Sequence, residues 1–427
     1  MQAGISRSER IVANPSKADR FTRALLAAAC SLLVPVTIAA QEPQPEHVHP
    51  AMPSSWTTMY DGVLFGTFSH QTGPRGADDF ASTSWGMGMM TRQAGPGRLT
   101  LTGMLSLEPA TMAPRGYREL FQVGETYHFL PIVDRQHPHD FFMQMSAAWR
   151  IPLTDRTNLT FAGAPVGEAT LGPVAFMHRP SAADNPVAPL SHHTFDSTHI
   201  AMGVIAAAVD RGRWTFEGSV FQSGEPDDNR WDFIDAGPLD SWAARVSFNT
   251  TATWEIQGSH GYLKNPERLE FASMHRSTVS ASWFRPARAG FTAATLAFGR
   301  NAKQFHGTFY AGLAEATHRR GRFSYYGRLE GVDVETALLL SRGTFHSHER
   351  VPKDLVTAGS VGAVVDVPFW FGIETGLGAE IMSYVVPDPL RPAYGTHPLA
   401  FRAFVRMRPP ASSMGRMWNM RMTRPMH

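Results

Sequence analysis

An all-β chain that closes a transmembrane, antiparallel, up-and-down barrel of about sixteen strands is the fold class this sequence predicts, and three observations carry it. Short segments alternate apolar and polar side chains with period two, which sends one set toward lipid and the other toward a polar lumen. Short turns and long polar or proline-rich connections alternate along the chain, seven of the first kind and eight of the second. No segment after residue 40 approaches the roughly eighteen apolar residues that a spanning helix needs, the longest being the ten of Ile200–Val209. If such a chain enters a membrane, it does so as a closed barrel, because every backbone polar group must find a partner.

Taken in order, residues 1–40 read as a secretory leader: Arg20 and Arg23 precede the apolar run Ala24 to Ala40, which ends in a small-residue cleavage site before Gln41. Residues 41–53 then make a periplasmic segment carrying His47, His49 and Met52, residues 54–408 the barrel, and residues 409–427 a Met-rich tail. Removing the leader takes five of 39 Lys/Arg and two of 37 Asp/Glu, leaving 34 against 35. That balance gives no electrostatic case for a nucleic-acid partner. The single cysteine, Cys30, leaves with the leader, so no disulfide staples the exported chain and backbone pairing must hold it.

The clearest strands are Leu99–Leu107, Trp214–Val220, Trp242–Phe248, Phe323–Glu330 and Leu399–Val405, each apolar on one face and polar on the other. Short turns fall at 94–97, 153–157, 210–213, 250–251, 286–289, 318–321 and 367–368. Between them lie the long connections 71–82, 109–138, 166–197, 223–239, 264–274, 301–305, 333–353 and 385–396. With both chain ends on the short-turn side, this is the layout of a bacterial outer-membrane barrel, with short periplasmic turns and long external loops. Trp149, Trp214, Trp242, Trp254, Trp283 and Trp370 at strand ends suit interfacial girdles. Charged residues such as Glu217, Arg245, Glu255, Arg328, Glu330, Glu374, Glu380, Arg402 and Arg406 occupy the polar parity and should line the lumen. A soluble β-sandwich is the alternative, while the absence of a fixed repeat speaks against a propeller.

Seven of the eighteen histidines fall between Glu125 and His199, beside several acids. Imidazole with carboxylate at close spacing is what a transition-metal site, a general base or a wet channel mouth requires. Parity on the flanking strands sends Phe141, Met143, Met145, Ala147 and Trp149, and later Ile200, Met202, Val204 and Ala206, outward. It turns Asp140 and His199 toward the lumen, with their backbones roughly 10 Å apart across two strand spacings. That is wide for one ion at a metal–nitrogen distance of about 2 Å, so His192, His193 and Asp196 would have to reach inward on the intervening loop. His137 and His139 rank lower, as anchors of the rim, and the same groups could instead pin the loops as a plug.

Methionine gives a second donor set: Trp85-Gly-Met-Gly-Met-Met90, and Met414, Met417, Met420, Met422 and Met426 before His427. Thioethers select Cu(I) and similar soft ions, and a flexible tail can wrap one without a preformed site. Copper or zinc is therefore the ion these donors would take. An enzymatic reading, Ser197 paired with His199, is weak, because no Gly-x-Ser-x-Gly elbow is present.

On this architecture the chain resembles porin-type outer-membrane barrels over most of residues 54–408. More narrowly, Val133-Asp-Arg-Gln-His-Pro-His-Asp-Phe-Phe-Met143, Gly172-Pro-Val-Ala-Phe-Met-His-Arg179 and Asp196-Ser-Thr-His199 are similar to motifs of an uncharacterised group of bacterial outer-membrane proteins associated with copper or heavy-metal resistance. The resemblance implies a metal context. The expected role is passage or capture of a small solute at the outer membrane, a metal ion among the candidates, with a plugged, metal-sequestering barrel as the alternative. The expected partners are outer-membrane lipid, the barrel-assembly machinery and copies of the chain in a homotrimer, a monomer being the other possibility.

Overall fold

Alternation along each strand is realised as an inside and an outside. On Trp214–Gln222, Thr215, Glu217 and Ser219 are buried while Trp214, Phe216 and Val220 are exposed on the outer wall. The computed structural model describes residues 55–233, 237–341, 350–368, 372–412 and 415–425. The leader, the segment 41–53, Trp370, Met414, Met426 and His427 lie outside the described residues.

The strands are β1 Thr57–Gln71, β2 Asp78–Ala94, β3 Gly97–Leu105, β4 Tyr117–Tyr127, β5 Leu130–Gln136, β6 Phe142–Thr154, β7 Thr157–Gly167, β8 Ala201–Arg211 and β9 Trp214–Gln222. They continue with β10 Ser241–Thr251, β11 Trp254–Leu263, β12 Met274–Ala287, β13 Gly290–Lys303, β14 Gly307–Arg320, β15 Phe323–Glu335, β16 Lys353–Val367, β17 Glu374–Val385 and β18 Leu399–Arg408. Sixteen of them close one antiparallel barrel, each pairing with its neighbour in sequence; β1 seals it against β18, from Leu64 opposite Met407 to Gln71 opposite Ala400. β4 and β5 stand apart as a hairpin within the connection from β3 to β6. The expected alternation of short turns and long connections is the one observed. Outside, Tyr60, Phe161, Ile205, Phe216, Val279, Leu329 and Phe401 make part of an apolar belt.

The inside is not an open channel. Polar wall residues that water would bathe in an open pore are buried instead: Arg245, Ser247, Thr317, Glu330, Arg402 and Arg406. Three segments fill the space. The β4–β5 hairpin is one, its Glu119 pairing with Arg402 on β18 at 2.6 Å and accepting from the Tyr384 hydroxyl on β17 at 2.7 Å. The connection 168–200 crosses the lumen, and none of its residues is exposed. Thr170 bonds Ser219 on β9, Arg179 pairs with Glu315 on β14 at 2.6 Å, Asp184 pairs with Arg406 on β18, and Glu330 on β15 accepts from the Leu190 and Ser191 amides. Residues 415–425 enter as well, with Arg416 on Asp61 at 2.9 Å, Arg421 on Glu255 at 2.5 Å and Thr423 on Glu217. Charged rows expected to line an open lumen are therefore sockets for these segments. Buried ion pairs of this kind add little net stability but fix position, since removing either partner strands a charge.

Three expectations are corrected. The tail is not free to wrap an ion in the periplasm: Met417, Met420 and Met422 are buried inside the barrel. The parity expected of β8 is reversed, with Val204, Ala206 and Ala208 inside and Ile205 and Val209 outside. The pairing slips between Met202 and Ile205, where Gly203 takes a φ of +57° that a side chain would disfavour, and an inward strand facing a protein filling can be apolar. Met143, expected outside, is buried inside beside a slip in the β3–β6 register.

Candidate metal centre

The residues that follow the β4–β5 hairpin and the lumen-crossing connection 168–200 together build a histidine cluster. His192 sits at its middle. Its ring centre lies 5.1 Å from that of His193, 5.3 Å from His199, 6.2 Å from His137 and 6.5 Å from His139. His137 is also 5.3 Å from His193, and His139 is 5.5 Å from His199. Two imidazoles that share a tetrahedral ion at ~2 Å from each nitrogen hold their ring centres about 5 Å apart. One ligand atom from each of His137, His192 and His193 can be chosen so that all lie within 4.8 Å of one another.

Four of the rings are held the same way, through Nδ1. His137 Nδ1 is 3.0 Å from the Glu125 carboxylate, His139 Nδ1 is 3.0 Å from Glu108, and His192 Nδ1 is 2.6 Å from Asp196. His199 Nδ1 is 2.5 Å from the backbone oxygen of Asp196. Each partner accepts, so Nδ1 carries the proton and Nε2 the lone pair. On His137, His139 and His199 that Nε2 is buried with no hydrogen-bond partner. A carboxylate or carbonyl behind Nδ1 and an open Nε2 in front is the arrangement that orients metal-binding imidazoles.

The acids are fixed in turn. Glu108 accepts from the amides of Ser84 and His139, and Glu125 pairs with Arg230, which also holds Asp140 at 3.0 Å. Asp140 thus faces an arginine rather than the imidazoles. Burial foremost lifts its carboxyl to about 6, against the pull of Arg230. Asp196 takes Arg179 at 2.9 Å and the Phe176 amide at 3.0 Å as well as His192. Glu125 adopts φ +59°, one of five positive-φ residues other than glycine in or beside the hairpin, and strain of this kind persists where the surroundings over-determine it. Burial, with neighbouring charges behind it, keeps His137 and His199 well below the ordinary imidazole value and His193 at about 3. Those rings are neutral donors at neutral pH.

Of the residues expected to bind metal, His192, His193 and His199 lie together, Asp196 stands behind them, and Asp140 is engaged elsewhere. His137 and His139, ranked as rim anchors, are full members of the cluster. Glu108, Glu125 and Arg230 were not singled out as site residues; each is far from its partner in sequence, and only the folded hairpin reveals it. Ser197 Oγ accepts from Arg276 at 2.8 Å, and His199 is bonded to Asp196, so the two do not form a hydrolytic pair. The cavity beside the cluster, about 200 Å³, also borders Glu267, Glu270 and Glu335. Those three already surround a cation, the Lys303 ammonium, at 2.7–3.0 Å.

No protein-family model matches the chain, and no curated protein matches it in sequence. Among solved structures, the anion-selective porin from Comamonas acidovorans superposes with a TM-score of 0.50 at 10% identity, covering 83% of this chain and 100% of that one. The fold is that of a porin. A loop-deleted OmpT, an outer membrane protein of Vibrio cholerae, gives 0.48 at 10% identity over 83% and 99% of the two chains. Salmonella typhi OmpF in complex with daunomycin gives 0.47 at 9% identity over 82% and 97%. What separates this chain from an open-pore reading of that fold is the protein packed inside its barrel.

Proposed function

We propose that this porin-fold protein sits in the bacterial outer membrane and captures a divalent transition-metal ion, copper or zinc, at His137, His192 and His193, with His139 and His199 as the flanking donors. The observation that carries the reading is the meeting of His137, His192 and His193, whose ligand atoms can all lie within 4.8 Å of one another, beside His139 and His199. On His137, His139 and His199 an acceptor holds Nδ1 and leaves Nε2 buried without a partner. Buried polar atoms are ordinarily satisfied, and a cluster left open together is what an ion would complete. The apolar belt fits outer-membrane lipid, and the barrel-assembly machinery would insert it. Assembly as a homotrimer follows from the porin fold by analogy only, and native mass in detergent distinguishes it from a monomer.

Titration of the purified barrel with Co(II), read by visible absorption, and with Zn(II), read by calorimetry, tests this. One ion per chain is expected, and His192→Ala should weaken its binding by roughly 100-fold or more, since even second-sphere changes cost about 10- to 100-fold. Unchanged binding in His192→Ala and in His137→Ala would reject the site. A finer check lies at Gly124. Its φ is +143°, and a Cβ there would meet the His193 ring at 2.1 Å. Gly124→Ala should displace that ring and weaken Zn(II) by roughly 10-fold, whereas an unchanged affinity would place His193 outside the ligand set.

A second reading, a channel that opens when the filling moves, is favoured by the porin fold alone. Conductance separates it from capture.

A further inference from the structure

One buried cluster in the lumen is built almost wholly of methionine. On the wall, Met59 of β1 lies opposite Met89 of β2, Met87 of β2 lies opposite Met104 of β3, and Met143 of β6 joins them. Met87 and Met89 are separated by Gly88 and so share the inward face. The tail adds Met417 and Met420. Its docking is specific: Asp61, opposite Met87, accepts the Met417 amide at 2.8 Å and the Arg416 guanidinium at 2.9 Å, and the Asn419 amide bonds the His178 carbonyl at 2.9 Å.

Hydrophobicity alone does not call for this composition. Leucine fills such a space with a better-defined rotamer, and methionine brings flexibility and a polarisable sulfur instead. A nitrogen donor stands beside the sulfurs. His178, next to Met177 of the same cluster, packs edge-on against Trp85 at 4.9 Å, and its ring bonds the Met417 backbone. Its Nδ1 is left buried and unpartnered. The carboxylate at hand, Asp61, is taken by the Met417 amide and Arg416; the sulfur and imidazole donors that remain suit a soft, low-charge ion and not a divalent one.

We propose that this cluster is a second metal site, separate from the imidazole cluster, that takes a monovalent d10 cation, Cu(I) or its analogue Ag(I), on thioethers of Met87, Met89 and Met104 from the wall and Met417 and Met420 from the tail, with His178 as a nitrogen donor. Its donors are independent of the five clustered histidines. The tail is then a ligand strand inserted from the short-turn side, and the ion completes the joint between tail and wall. A cavity of about 50 Å³ lined by Trp85, Met177, Phe176 and His139 lies between the two sites.

Ag(I) is the probe, because it does not cycle in oxidation state. The full exported chain, folded in detergent and saturated with Zn(II), is titrated with Ag(I), and bound silver is counted after gel filtration. One tightly held Ag(I) per chain is expected. The triple variant Met87→Leu/Met89→Leu/Met104→Leu, close to volume-conserving, should lower that affinity by roughly 100-fold or more while Zn(II) binding stays as in the parent. His192→Ala should do the reverse. Silver retained in the triple variant, or lost only in His192→Ala, overturns the proposal, the latter because silver would then sit on the imidazoles. Met417→Leu/Met420→Leu provides the same reading without touching the wall: a loss of roughly 10-fold or more is expected, and an unchanged affinity rejects the tail as a ligand strand.

Discussion

Inserted into a planar bilayer, the intact barrel gives no steady open-channel current, and removing its filling turns it into a conducting pore. The variant that shows this replaces residues 117–136 and 172–196 by short Gly/Ser linkers and ends the chain at Arg408. Sixteen-stranded walls enclose an aqueous channel when nothing else occupies them. Here the connection 168–200 and the tail keep water from Arg245, Ser247, Thr317 and Arg406, and Glu119 of the hairpin covers Arg402. Their removal leaves Arg245 with Glu217 and Arg402 with Glu380, and water can enter to rehydrate what is stranded, so the wall should survive. Deleting the tail alone should leave the barrel closed, because the connection 168–200 still runs from β9 to β18 across the lumen. Discrete current steps of equal size in the intact protein and the emptied variant would end the capture reading and restore passage. A heat-modifiable gel shift in both confirms that each is folded before the currents are compared.

The wall was legible because period-two patterning and the alternation of turn lengths are local signals, and both act wherever one face of a strand meets lipid. Its filling was not. Parity sends Val204 and Ala206 to the lipid face only if the lumen is wet; a lumen packed with protein removes the contrast on which parity depends. Met143 escaped for a second reason, the register slip beside it. In the site, His192, His193 and His199 were recognisable because one connection carries them all. His137 and His139 were ranked by the strand that follows them, but their positions are set by a hairpin whose backbone turns through positive φ at Phe121, Glu125 and Asp134. The Met87–Gly88–Met89 alternation was visible as composition, yet the approach of Met417 is a contact across nearly the whole chain, and nothing near either residue announces it.

Asp196 is the residue whose loss should propagate furthest. One carboxylate oxygen holds His192 Nδ1 at 2.6 Å; the other takes Arg179 at 2.9 Å and the Phe176 amide at 3.0 Å, while its backbone oxygen fixes His199. Burial works against its charge, but His192 and then Arg179 outweigh that and hold the carboxyl well below the usual range. Asp196→Ala therefore frees the central imidazole and withdraws one of two acids from a fully buried arginine, the other being Glu315. The expected cost is about 3–5 kcal/mol in urea unfolding from liposomes, together with a loss of Zn(II) affinity of roughly 10- to 100-fold. Asp196→Asn separates the two effects. Its side-chain oxygen can still accept from Phe176 or Arg179, so stability should fall less, but it cannot stabilise the imidazole through a charge, and Zn(II) binding should drop nearly as far as in the alanine variant. If Asp196→Asn kept full Zn(II) affinity, His192 would not depend on the carboxylate behind it, and the oriented-imidazole account of the cluster would fail even with the barrel intact.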